Sequence, residues 1–176
     1  HLEGNIPLEK VIEIIDHRKV HDADKFPNAT VHIELVGSAA TLVTQRCMQQ
    51  NFQPSVHAAQ LLHSAIISNT LNFKGGVTTD RDRQAAAWLK DITHLDDTFA
   101  KELFLAKSDL TGPKLEETLR GDFALYTCGE KMIVIAQLEV MNGKKLVHER
   151  TEEILSVLHA MKLEENVTAS FLTIVD

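Results

Sequence analysis

The apolar residues of this chain fall into short β-branched runs separated by longer stretches with helical spacing. Lys10-Val11-Ile12-Glu13-Ile14-Ile15 is such a run and predicts a buried strand over 10–15, ending in the polar triplet Asp16-His17-Arg18. Residues 30–36 predict a second strand after the polar loop that holds Pro27 and Asn28. Gly37-Ser38 then opens a helix over 39–50, with Ser38 as its N-cap. Pro54-Ser55 starts a helix over 56–71, apolar round most of its circumference and therefore expected to be buried, and Gly75-Gly76 is expected to break it. Thr79 caps a further helix over 80–92, with Asp80 and Asp82 in the first turn where the helix dipole favours them. An amphipathic stretch follows over 97–107. Strands alternating with helices predict an α/β fold with a largely parallel sheet.

The pattern changes at Asp109-Leu110-Thr111-Gly112-Pro113, which is turn-rich, and a domain boundary is placed here: 1–107 and 108–176. The second part reads as a short helix over 114–119, then strands over 123–126 and 132–138 hinged at Cys128-Gly129. A long amphipathic helix over 145–163 and a strand starting near Val167 complete it. Internal repeats and low-complexity segments are absent from the sequence. The opening His1-Leu2-Glu3-Gly4 and the strand-like ending at Asp176 read as cuts through a longer protein.

Composition narrows the function classes. A formal net charge of -7 and the lack of any basic stripe argue against nucleic acid as a partner, because backbone binding needs clustered Lys and Arg. An acidic phosphate-handling enzyme that uses cations remains compatible with that charge. The apolar run over 132–136 is far shorter than the about 20 residues that cross a bilayer, so no membrane association is expected. Cys47 and Cys128 lack metal-type spacing and read as reduced thiols of a cytoplasmic protein, a structural disulfide being the minor alternative.

Asp16-His17 is the leading chemical candidate. An acid and an imidazole side by side at the carboxyl end of a strand lie where open α/β sheets place their sites, and oxygen with nitrogen donors suits manganese. The alternative is a solvated loop opening in which Arg18 pairs with a nearby carboxylate. His21, Asp22 and Asp24 read as a charged loop, and His57 and His63, six apart, do not share a helix face as an i, i+4 pair would. His63 is expected to face the core with a backbone or water partner, and His148 and His159 to be surface positions. Asp80 and Asp82 fit either a cation site or helix capping. Ser38 and Ser68 lack a His–Asp relay, and Gly75-Gly76 is not followed by the Lys of a phosphate-binding loop.

Three stretches taken together resemble the DHH phosphoesterase family, in its manganese-dependent (family II) inorganic pyrophosphatase and prune-like exopolyphosphatase branch. Ile14-Ile15-Asp16-His17-Arg18 is similar to the namesake Asp-His-His motif, and Val36-Gly37-Ser38-Ala39-Ala40-Thr41 to the Val-Gly-Ser/Cys-x-Ala-Thr helix opening. Residues 65–74 with Thr78-Thr79-Asp80-Arg81-Asp82 look like the Ala-Ile-Ile-Ser-Asp-Thr-Leu-x-Phe-Lys segment and the Thr-x-Asp-x-Asp that follows it. The resemblance implies a parallel-sheet DHH domain followed by a smaller α/β DHH-associated domain, both truncated. It also implies a cleft between them and manganese, cobalt or magnesium as cofactor. It places Asp16 and His17 at metal-ligand positions. The family's earlier His and Asp motifs would lie upstream of His1, and its basic substrate-binding motif beyond Asp176.

The sequence departs from the family pattern at three places. Arg18 stands at the second histidine; it cannot ligate a cation but can hold a phosphate oxygen bidentately, and an Asp-His-Arg variant occurs in the prune-like branch. Asn69 stands where the family has a metal-ligand aspartate, and Ala124 where pyrophosphatases carry a substrate-binding lysine. The resemblance implies a phosphoanhydride hydrolase for pyrophosphate or short polyphosphate, with this chain inactive by itself. The alternatives are a DHH phosphoesterase for nucleotides, or a degenerate domain kept for binding or regulation. The Gly-Gly-His motif usual in the nuclease branch is missing from this sequence. The expected partner is a small phosphate-containing substrate, with a homodimer as the open question of assembly.

Overall fold

The computed structural model describes residues 6–176, so the opening His1-Leu2-Glu3-Gly4 lies outside the described residues. The chain divides into two compact units, His1–Ala100 and Lys101–Asp176. Strands β1 (Glu13–Asp16) and β2 (Thr30–Ile33) pair in parallel in the first, with Glu13 opposite Thr30 and Asp16 opposite Ile33. Three helices follow: α1 (Ala39–Gln49), α2 (Val56–Asn69) and α3 (Asp80–Thr93). Ser38 caps α1 by accepting from the Ala40 N–H at 3.3 Å, and Ser55 caps α2 by accepting from the Ala58 N–H at 3.3 Å. The core forms where α2 meets α3. Ala59, Ala85 and Ala86 let the helices approach closely, while Ile66 and Leu89 fill the seam. Each of those two larger side chains contributes about 1.5–3 kcal/mol by leaving water.

Three expectations are corrected in this unit. The run over 10–15 is not a buried strand: a short 3-10 turn occupies Leu8–Lys10, Ile12 is 77% exposed, and Ile14 and Ile15 are half-buried. Among the described residues β1 has β2 as its one strand neighbour, so it lacks the double cover that a continuous apolar run suggests. Helix α2 is amphipathic rather than buried all round, with Leu61 73% exposed and Val56 also facing water. Nor does Gly75-Gly76 break that helix. It ends at Asn69, after which Leu71, Asn72 and Phe73 all adopt left-handed φ angles of 51°, 51° and 64°.

Left-handed backbone costs a non-glycine residue about 1–2 kcal/mol, so local bonds must hold this turn. Asn72 N–H donates to the Ile67 carbonyl at 2.8 Å and Gly75 N–H to the Thr70 carbonyl at 2.8 Å. The Phe73 ring lies 5.1 Å beneath the Arg83 guanidinium. A Cβ on Gly75 would stand 3.0 Å from the Thr70 carbonyl oxygen, so this glycine closes the turn onto the helix end.

Helix α4 (Phe99–Lys107) straddles the division between the units, and none of its residues is buried. The turn-rich residues 108–113 connect it to α5 (Lys114–Gly121). Strands β3 (Phe123–Cys128) and β4 (Lys131–Glu139) form an antiparallel hairpin. Helix α6 (Gly143–Glu164) then crosses back so that β5 (Ala169–Val175) lies parallel to β4, giving the order β3-β4-β5. Val134, Ala136 and Leu138 alternate onto the helix-covered face of β4, where Leu115, Leu119, Leu158 and Met161 meet them. Helix α6 is broken at Arg150 (φ -124°, ψ 28°), whose guanidinium reaches the Leu110 carbonyl.

His63 faces the core as expected, but its Nδ1 has no protein hydrogen-bond partner among the described residues, and its ring packs 5.7 Å from that of Phe99. Burial pulls the imidazole pKa below its ordinary 6.5, and the nearby Lys90 charge acts in the same direction. The folded state therefore disfavours the imidazolium. Below the ordinary value the unfolded chain binds more protons, so stability declines as pH falls through that range. Urea unfolding at about pH 7.5 and about pH 5.5 should show the loss in the parent chain and a smaller loss in His63→Leu.

Candidate functional site

Each residue expected at the site has a definite local role. Asp16 ends β1, and its Oδ1 accepts from the backbone N–H of His17 at 2.7 Å and of Arg18 at 3.3 Å, turning the chain away from the strand. His17 is half-buried, with Nδ1 3.0 Å from the Val36 carbonyl oxygen. A carbonyl only accepts, so Nδ1 carries a proton in this bond, and in the neutral ring the lone pair then falls on Nε2, the tautomer suited to binding a cation. Arg18 is exposed, and its guanidinium makes no ion pair among the described residues. The alternative in which Arg18 pairs with a nearby carboxylate is therefore not what these residues show.

Asn69, the last residue of α2, donates from Nδ2 to the Ser38 Oγ at 3.2 Å. Its Oδ1 remains an acceptor. His17 and Asn69 thus both engage the loop 36–38 between β2 and α1, one through Val36 and the other through Ser38.

That loop is held by Asp82, which is fully buried. Gly37 N–H donates to both carboxylate oxygens, at 3.0 and 2.9 Å, and the Thr41 hydroxyl donates to Oδ1 at 2.6 Å. The Thr79 N–H and hydroxyl both donate to Oδ2 at 2.7 Å. Burial pushes the Asp82 pKa up, but the bonds from Thr41, Thr79 and Gly37 outweigh it and leave the carboxyl below its ordinary 3.8. Of the two readings open for this acid, capping is the one realised. Thr79-x-x-Asp82 forms a capping box for α3, and the same carboxylate reaches back to α1. Asp80 is exposed in the same first turn.

Gly37 has no room for a side chain. A Cβ there would stand 2.6 Å from the Thr70 Cγ2 and 2.9 Å from the Asp82 Oδ2. The loop 36–38, the end of α2 and the start of α3 therefore close on one another within van der Waals contact.

The remaining candidates do not join them. Residues Ala23–Lys25 form a 3-10 turn in which Lys25 pairs with Asp22 at 3.0 Å, and His21 and Asp24 are exposed beside it. His57, His148 and His159 are exposed, and Ala124 lies on the exposed strand β3. Among the described residues no three His, Cys, Asp or Glu side chains gather as a cation site.

Gly37→Ala should lower stability by about 1–3 kcal/mol through overpacking. Asp82→Ala should lower it by about 3 kcal/mol or more, because buried N–H and hydroxyl donors lose their acceptor. A depressed carboxyl pKa contributes stability above the ordinary value that is lost as pH falls through the folded one, so acid should narrow the gap between Asp82→Ala and its parent. Urea unfolding across the acid range measures all three.

Residues 101–176 match the DHHA2 domain family. The manganese-dependent inorganic pyrophosphatase of Bacillus subtilis is 30% identical over 168 residues, covering 95% of this chain and 54% of that protein. The cobalt-dependent inorganic pyrophosphatase of Clostridium perfringens is 37% identical over 134 residues, covering 76% of this chain and 24% of that protein. A solved Methanococcus jannaschii structure, given the provisional description of family II inorganic pyrophosphatase, superposes with a TM-score of 0.78 at 30% identity, covering 95% of this chain and 57% of that one. The chain thus spans about half the length of several of the curated relatives it matches. Over nearly its whole length the chain is thus similar to family II inorganic pyrophosphatases, and its residues 101–176 carry the match to the DHHA2 domain.

Proposed function

We propose that this chain is part of a divalent-cation-dependent hydrolase of phosphoanhydride bonds, acting on pyrophosphate or short polyphosphate in the cytoplasm. The observation that carries the reading is the His17 ring. Its Nδ1–H is engaged by the Val36 carbonyl, which leaves Nε2 as a preoriented ligand, the usual arrangement of a metal-binding histidine. Asp16 fits beside it, since both its backbone bonds fall on Oδ1 and Oδ2 stays open. A carboxylate oxygen, an imidazole nitrogen and an amide oxygen form a donor set that suits manganese. Relatives named as manganese- or cobalt-dependent pyrophosphatases support the same cofactor class.

In this reading Asp16 and His17 hold the cation, and Asn69 is a weak neutral ligand or orients water through its amide. Arg18, with its exposed guanidinium, clamps a phosphate oxygen through paired N–H donors. When bound, the cations supply Lewis-acid polarisation of the phosphoryl group and a water of lowered pKa. Free thiols at Cys47 and Cys128 support a reducing compartment, and no described helix is long and apolar enough to cross a membrane. One observation favours a second reading, a domain kept for binding or regulation: Asn69 removes the negative charge that helps hold closely spaced dications.

Phosphate release from pyrophosphate and short polyphosphate, by the protein with its natural flanking sequence and with or without manganese, tests the reading. Manganese-dependent release is expected. Arg18→Ala should raise KM more than it lowers kcat, and Asn69→Asp should tighten manganese binding about tenfold by adding ligand charge. No release with any cation, from protein verified as folded, would move the assignment to the binding or regulatory reading.

A further inference from the structure

The Val36–Gly37 peptide unit is bonded at both ends. Its carbonyl accepts from His17 Nδ1 at 3.0 Å, and its N–H donates to both oxygens of the buried Asp82 carboxylate at 3.0 and 2.9 Å. Carbonyl and N–H of one trans peptide point in opposite directions, so the carboxylate and the imidazole sit on opposite sides of a single planar group. We propose that Asp82 is a positioning residue for His17, acting through this peptide: carboxylate, peptide and imidazole form one hydrogen-bonded chain that fixes the histidine tautomer and ring orientation.

Three features argue for this role beyond helix capping. The carboxylate polarises the peptide, so negative charge at Asp82 strengthens the acceptor power of the Val36 oxygen, as bonds in a low-dielectric chain reinforce one another. Asp82 cannot turn away, because the Thr41 and Thr79 hydroxyls and the Thr79 N–H hold its two oxygens from other sides. Gly37 cannot move either, since Thr70 and Asp82 leave no space at its Cα. Metal-binding histidines commonly lean on a carboxylate or a backbone carbonyl. Here the carbonyl is the direct partner and the carboxylate stands one peptide behind it.

The inference rests on the reading of His17 as a cation ligand, yet its first readout needs no cation. Nitrogen-15 NMR of the neutral His17 ring in the cation-free protein, assigned with His17→Gln, should show the Nδ1–H tautomer in about tenfold excess. Asp82→Asn should raise the Nε2–H share several-fold and weaken manganese binding about tenfold. Thr41→Val, which removes one donor to Asp82 but leaves those of Gly37 and Thr79, should lower stability and shift the tautomer far less than Asp82→Asn. An equal tautomer shift in Thr41→Val, or a mixed tautomer in the parent, would overturn the proposal.

If Asp82→Asn does not fold, scalar couplings across the hydrogen bonds of the parent protein decide. Coupling from His17 Nδ1 to the Val36 carbonyl carbon and from the Gly37 nitrogen to the Asp82 carboxyl carbon supports the chain, and loss of either refutes it. Manganese broadening of the His17 signals separates this idea from its premise. A fixed tautomer without broadening sinks the cation assignment and leaves the positioning intact; broadening of a mixed tautomer does the reverse.

Discussion

A carboxylate excluded from water must find donors for its lone pairs or take up a proton, and Asp82 meets that demand with groups from three separate parts of the chain. Gly37 lies before α1, Thr41 within it, and Thr79 at the cap of α3. The bonds join residues 41 and 45 positions apart, so they form only when β2, α1 and α3 have their final arrangement. Satisfying every donor around a buried charge is worth far more than any exposed ion pair, and a partial set would be worse than an apolar core. The surface pairs of this unit, such as Arg46 with Glu13 and Lys90 with Asp97, add little by comparison.

The placement of the candidate site follows from that constraint. With Gly37 fixed, the Val36 carbonyl is aimed at His17 and the Ser38 hydroxyl at Asn69. Asp16 contributes at a different level, shaping the turn that presents His17 and Arg18 after the strand. Two of the three departures from the family pattern, Arg18 and Asn69, lie on this framework and not in it. Their chemistry can change while the buried network stays whole.

The second unit has a different basis. Its stability comes from apolar layers, with β4 alternating Val134, Ala136 and Leu138 toward Leu115 and Leu119 of α5 and Met161 of α6. The opposite face of the sheet leaves Phe171 and Tyr126 about half exposed, and β3 is exposed along its whole length. Apolar periodicity was enough to locate these elements, since burial on one face of a strand or helix writes directly into sequence spacing.

Local rules were therefore legible. Ser38, Ser55 and Thr79 announce helix starts because an N-cap needs only its own side chain and the next few N–H groups. The motifs around Asp16-His17, Val36-Gly37-Ser38 and Asn69-Thr70 were visible as residue types in order. Non-local facts were not visible. Exposure of Ile12 depends on which strands flank β1, and the end of α2 on a left-handed turn closed by Gly75 against the Thr70 carbonyl. Asp82 read equally well as a cation ligand or a helix cap, because its residue type and spacing fit both. Only the fold brought Gly37 and Thr41 to its oxygens, since a hydrogen bond across more than forty residues depends on packing that no local spacing encodes.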